Sequence, residues 1–164
     1  MPNPKVTIFL GSDSDLSKFE KAFSLAQIFH INLTVKIASA HRSPEFLRQE
    51  LKNTEKSGVE VIIAGAGFAA HLAGVIASHT IIPVIAVPLD TSPLWGLDSL
   101  LASVMMPSGV PVACMAIGET GAKNSIVMAA EILSIKYPNI KKALINYRKG
   151  LANSIKLVNS KMKK

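Results

Sequence analysis

A histidine and an arginine stand side by side in Ser39-Ala40-His41-Arg42. An imidazole titrates near neutrality and can give or take a proton. A guanidinium holds phosphate through two parallel N–H bonds. Together they suggest proton transfer on a phosphorylated substrate. A plainer reading pairs Arg42 with Asp13 or Asp15 and leaves His41 as a satisfied loop residue.

Gly11-Ser12-Asp13-Ser14-Asp15 is the second candidate passage. It opens a helix, whose free N–H groups suit a phosphate, and Ser12 and Ser14 add hydroxyl donors. Asp13 and Asp15 would repel that phosphate. Asp15 is therefore assigned to sugar hydroxyls. The alternative is that a serine caps the helix and the aspartates favour its dipole. The stretch is neither a dinucleotide fingerprint nor a phosphate loop with its lysine.

The third passage is Gly65-Ala66-Gly67-Phe68-Ala69-Ala70-His71-Leu72. Its glycines allow a planar ligand to approach the backbone. His71 reads as a second acid, a ligand-orienting donor or a buried structural histidine, with the last preferred. His30, His41, His71 and His79 lack metal-ligand spacing, so no metal is expected. Cys114 is the one cysteine, which rules out an intrachain disulfide or a cysteine-based cluster. No Ser-His-acid motif is present.

The elements that must position these residues alternate. Apolar runs at Val6–Leu10, Leu33–Ala38, Val59–Gly65, Val84–Val87 and Val112–Ile117 read as strands. Between them, Leu16, Phe19, Phe23 and Ala26 form a helical stripe. Ser43-Pro44-Glu45 and Ser92-Pro93 read as capped helix starts, and Gly58 closes the first of those helices. Gly121–Lys136 is a further helix. The pattern predicts an α/β fold: a three-layer open parallel sheet, flavodoxin-like, with five main strands, helices on both faces and a long C-terminal helix. All the candidate passages come directly after strands, on the edge where such sheets bind ligands.

The 164 residues suit one domain. The formal charge is +7, but eight of the 18 basic residues lie in 141–164, which has no acid. The remaining ten face 11 acids, so residues 1–140 form a near-neutral catalytic body. Residues 141–164 form a basic amphipathic helix whose stripe runs through Ile140, Leu144, Tyr147, Leu151, Ile155, Val158 and Met162. That stripe favours packing against protein over nucleic acid or membrane. Glycines interrupt the apolar stretch 61–77, so a membrane span is not expected. The start Met1-Pro2-Asn3-Pro4-Lys5 carries no signal-peptide pattern, and a cytoplasmic protein is expected.

Taken in order, GSDSD, Ser39-Ala40-His41-Arg42 and AGAGFAAHLAG resemble one family. So do Gly96-Leu97-Asp98-Ser99-Leu100, Met106-Pro107-Ser108-Gly109-Val110-Pro111-Val112, Ala116-Ile117-Gly118 and Gly121-Ala122-Lys123-Asn124. The chain is similar over residues 5–149 to the catalytic component of phosphoribosylaminoimidazole carboxylase, the PurE type, of purine synthesis. One branch of that family moves a carboxylate within N5-carboxyaminoimidazole ribonucleotide to give 4-carboxy-5-aminoimidazole ribonucleotide. The other adds carbon dioxide directly to aminoimidazole ribonucleotide. Ala70-His71-Leu72 resembles the mutase branch, and neither branch uses ATP, metal or an organic cofactor.

The resemblance implies His41 as general acid and base. It implies Ser12, Ser14 and Arg42 as ribonucleotide ligands near the phosphate, and Asp15 on the ribose. Ser39, Ala40, Gly67 and His71 would line the base pocket. It also implies a homo-octamer in which the terminal helix embraces a neighbour. The sequence departs from the family pattern at Phe68, usually glycine. It departs too at Asp90-Thr91, usually glutamine or lysine then serine or threonine, and at Met105, usually glutamine. A divergent, non-catalytic ribonucleotide binder is the remaining alternative, and Phe68 is the feature in its favour.

Overall fold

The computed structural model describes residues 4–162. Met1, Pro2 and Asn3 of the leading segment, and Lys163 and Lys164 of the basic tail, lie outside them. Five strands run β1 (Lys5–Leu10), β2 (Asn32–Ile37), β3 (Val61–Ala66), β4 (Val84–Pro88) and β5 (Ala113–Cys114). They pair in parallel in the order β2-β1-β3-β4-β5. This is the flavodoxin-like order.

Side chains alternate across a strand, so an apolar run such as Val61-Ile62-Ile63-Ala64 feeds two cores at once. Val61 and Ile63 join Val6, Ile8 and Leu10 against α1 (Glu20–Ile28), α5 (Gly118–Ser134) and α6 (Pro138–Met162). Ile62 and Ala64 join Phe9 against α2 (Pro44–Lys56) and α3 (Leu72–Ala77). The result is three layers. A further helix, α4 (Leu97–Val104), packs on β4 and β5.

Several boundaries differ from the sequence reading, each for a local reason. The first helix begins as a 3-10 segment, Asp13–Phe19, before α1, and Leu16 points out while Phe19 is fully buried. Ser92-Pro93 starts a turn rather than a helix. There the Ser92 hydroxyl accepts from the Leu94 amide (3.1 Å) and donates to Asp98 (2.8 Å). Left-handed backbone at Trp95 (φ 54°) and Gly96 (φ 88°) then delays α4 to Leu97. The fifth strand is two residues, not Val112–Ile117. Pro111 has no amide to offer, and after the Met115 amide reaches Ala86 (2.9 Å) the chain leaves for α5.

Helix α6 starts with proline at its first position. Ile140 and Leu144 are buried, and Tyr147 meets Phe29 edge-on at 5.4 Å. From Leu151 onward the stripe is exposed. No helix among the described residues is long and apolar enough to cross a membrane.

Glu60, just ahead of β3, ties the sheet to the α5–α6 junction. It accepts from the Tyr137 hydroxyl at 2.7 Å and the Lys136 ammonium at 2.8 Å. Burial pushes its carboxyl up, but these two bonds outweigh burial and hold it below the ordinary 4.5. A depressed native pKa stabilises the fold above the unfolded value and is lost as pH falls through the native one. The melting temperature of Glu60→Gln should therefore lie below wild type at pH 7. The gap should close as the pH drops below 4.5. A gap unchanged at low pH would remove the ionic contribution.

Candidate active site

Three hydrogen bonds continue the ladders past the strand ends. Gly11 donates to Gly65 (3.1 Å), Ala38 to Leu10 (2.9 Å) and Leu89 to Ala66 (2.9 Å). Beyond this rim lies a cleft of about 730 Å³. The loops after β1 and β2 form one wall, the 66–72 loop after β3 forms the other, and Thr91 closes the end. All nine residues singled out in the sequence line it: Ser12, Ser14, Asp15, Ser39, Ala40, His41, Arg42, Gly67 and His71. Asp13, the carboxylate expected to avoid a phosphate, does not.

The first wall is polar and internally braced. Asp15 is 5% exposed and accepts from the Ser12 amide at 3.1 Å. Asp13 accepts from the Ser12 hydroxyl (3.1 Å) and the Ser14 amide (3.0 Å), and Ser14 donates to Ser12 at 3.0 Å. Arg42 does not pair with either aspartate. Its guanidinium donates to the Gly11 carbonyl at 2.9 Å, so β2's loop is strapped to β1's without neutralising the cation. The Arg42 amide donates to the Ser39 hydroxyl at 3.2 Å. Ser43 sits at the N-cap of α2 but does not cap it. Its hydroxyl bonds the Ser39 amide (3.1 Å) and carbonyl (3.2 Å), which fixes the turn that carries His41.

His71 is exposed at the N-cap of α3, which corrects its reading as a buried structural residue. Its Nδ1 lies 2.8 Å from His41 Nε2, with the rings edge-to-face at 5.0 Å. That contact needs one N–H and one lone pair. The partner ring thus governs which His41 nitrogen carries hydrogen.

Apart from His71, the opposite wall is apolar. A Cβ on Gly67 would lie 1.8 Å from Thr91 Oγ1, so only glycine lets this loop close against β4's. Ala66, Phe68, Ala69 and Leu72 continue the surface. Phe68 and Ala70 hold positive φ, 52° and 31°. The sequence reading did not assign Thr91 to the site. The signal available was its place after a central strand. Asp90, the residue before Thr91, has its charge answered by Lys18 at 2.8 Å. The hydrogen bond from Lys18 leads in holding the Asp90 carboxyl below its usual range. Among the described residues no cluster of histidine, cysteine and acid could hold a metal.

A family profile described as AIR carboxylase matches residues 5–154. A relative from Pyrococcus abyssi, named N5-carboxyaminoimidazole ribonucleotide mutase, is 52% identical over 90% of this chain and 84% of its own. The Escherichia coli protein of the same name is 40% identical over 93% and 91%. The crystal structure of Treponema denticola PurE superposes with a TM-score of 0.90 at 30% identity, covering 99% of this chain and all of that one.

Burial raises the Asp15 carboxyl above its ordinary 3.8, against the lowering effects of the Ser12 amide and the Arg42 charge. A raised native pKa means the ionised form costs stability, a cost that disappears as pH falls toward 3.8. Asp15→Asn, which keeps the shape and an acceptor for Ser12, should melt higher than wild type at pH 7. The two should converge on acidification. A variant that melts lower at pH 7 would contradict this balance.

Proposed function

The chain belongs to the AIR carboxylase family, and we propose on that premise how its residues carry out the family's chemistry. It is a mutase of purine biosynthesis, converting N5-carboxyaminoimidazole ribonucleotide to 4-carboxy-5-aminoimidazole ribonucleotide. The relatives at 40–52% identity carry the mutase name, so direct carboxylation of aminoimidazole ribonucleotide is not favoured. One observation carries the assignment of roles: His41 projects beside Arg42 into a cleft whose polar wall also bears Ser12, Ser14 and Asp15.

Arg42, with Ser12 and Ser14, takes the phosphate. Arg42's only described polar partners are the Gly11 carbonyl and the Ser39 hydroxyl, so its charge is available. Asp15 accepts from the ribose hydroxyls. Ser39, Ala40 and Gly67 border the heterocycle, and His71 sets the orientation of His41.

The reaction then needs two proton movements and one apolar intermediate. The bond between N5 and its carboxylate carbon breaks, and its electron pair stays on nitrogen. N5 takes a proton from His41 and carbon dioxide is released into the cleft. The enamine pair at C4 attacks the carbon dioxide carbon and forms the new bond. His41 takes the proton that C4 loses and is restored. Decarboxylation of a carbamate and attack by an enamine call on no electron carrier, so the reading includes no cofactor. What the protein supplies is position, proton transfer and exclusion of water.

Assembly belongs to the same proposal. The basic segment 141–164, helical through Met162, packs the subunits of a cytoplasmic homo-octamer and is joined to the catalytic body 1–140. The apolar stripe through Leu151, Ile155, Val158 and Met162 lies uncovered in the single chain. So do Trp95, Leu97, Leu101 and Met105 around α4. Large apolar side chains exposed in a row along one helix mark an interaction surface. The tail lysines form the solvated face, with neither nucleic acid nor membrane as partner.

A turnover assay offering each imidazole ribonucleotide should consume the N5-carboxylated one. His41→Asn should lower kcat by roughly 10³-fold while product affinity stays within about threefold of wild type. Normal turnover by that variant would overturn the acid–base role, and no turnover by wild type would overturn the enzyme. Removing residues 150–164 should shrink the particle measured by light scattering, and an unchanged mass would dismiss the tail as an assembly element.

A further inference from the structure

Phe68 has no part in the chemistry above, yet it holds an unfavourable conformation at the cleft's edge. Its φ is 52°, a region that a side chain with a Cβ enters only at a cost, and Ala70 two residues on is also positive at 31°. The residue is 58% exposed and lines the cleft. Strain of this kind persists where the surroundings enforce it, and it points to function rather than to folding. The enforcement is visible. Gly67 is locked against Thr91, the Ala70 amide donates to the Gly67 carbonyl at 3.1 Å, and Leu72 is buried at the start of α3.

The cleft's two walls hold different parts of the reacting molecule. The polar wall has charge and hydroxyls for the sugar phosphate. Carbon dioxide, once released, is uncharged and offers Arg42 nothing to grip. Only shape and apolar cover keep it beside C4, and that cover comes from Ala66, Phe68, Ala69 and Leu72 of the 66–72 loop, beside His71. We propose that the ring of Phe68 is the barrier that retains carbon dioxide between its release from N5 and its capture by C4. The inference rests on the mutase reading and deepens it. Loss of the ring leaves both the bond-breaking and the bond-making step possible. It opens a competing path in which carbon dioxide escapes and the decarboxylated ribonucleotide is left behind, or is recarboxylated from the dissolved pool.

The test uses the full chain and substrate labelled with ¹³C at the N5-carboxylate, in unlabelled bicarbonate, following label retained in the product alongside total turnover. Phe68→Ala keeps the Cβ and removes the ring. Phe68→Gly removes both the ring and the conformational burden, and Phe68→Leu keeps apolar bulk. Escape per turnover should rise about fivefold in the alanine and glycine variants and stay near wild type in the leucine variant. Product affinity should be unchanged in all three, which also reports that each is folded. Label retention in Phe68→Ala equal to wild type would overturn the proposal, as would escape confined to Phe68→Gly, which would assign the effect to loop freedom. Absence of any product with the wild-type protein would instead remove the mutase reading, and this inference with it.

Discussion

The last rungs of the parallel ladder govern everything beyond them. Leu10 is in register with Ile37 on one side and Gly65 on the other, and Ala66 with Pro88. Strands that run the same way and end together bring loops that are far apart in sequence to a single rim. Ala38 meets Leu10 there, and Gly11 meets Gly65, through main-chain bonds. Because the rim is made of backbone, the loops can carry polar side chains without weakening the sheet beneath. The layers of Val6, Ile8 and Phe9 lie directly below and keep that rim rigid.

Most of this was legible because it depends on local pattern. Four of the five strands stand within two or three residues of their apolar runs, and the nine cleft residues were recoverable from the loops that leave the strand ends. The features that escaped depended on partners distant in sequence. Ser43 looks like a cap, but its hydroxyl is claimed by Ser39. Ser92-Pro93 looks like a helix start, but Trp95 and Gly96 turn left-handed. An apolar stretch suggests a buried His71, yet the site it faces, set by His41 thirty residues earlier, decides otherwise. Thr91 matters because Gly67 leaves room for it, a relation no single segment contains.

The cleft also shows how a fold keeps charge ready for a ligand. Arg42 is held by a carbonyl, not a carboxylate, so its direction is set while its charge is unspent. Asp15 is kept mainly by burial and one amide, at a cost to the folded state. Arg42's charge reaches Asp15 and favours its ionised form, yet the two make no ion pair. An ion pair would satisfy both within the protein; on the proposed reading, their separation keeps both for a sugar phosphate.

Asp90 and Phe68, which the resemblance marks as departures, resolve differently. Asp90 introduces a negative charge that Lys18 meets within the same sheet edge, so the change is compensated and structurally quiet. Phe68 has no such compensation: it adds strain and exposes a large apolar ring. An intramolecular carboxylate transfer has little need of an elaborate catalyst, since one imidazole can return every proton it lends. Its difficulty is that the transferred group becomes, for a moment, a small neutral molecule free to diffuse. A wall that is apolar and held in place by its neighbours answers that difficulty where hydrogen bonds cannot. Phe68 is the largest apolar side chain among the residues that line the cleft.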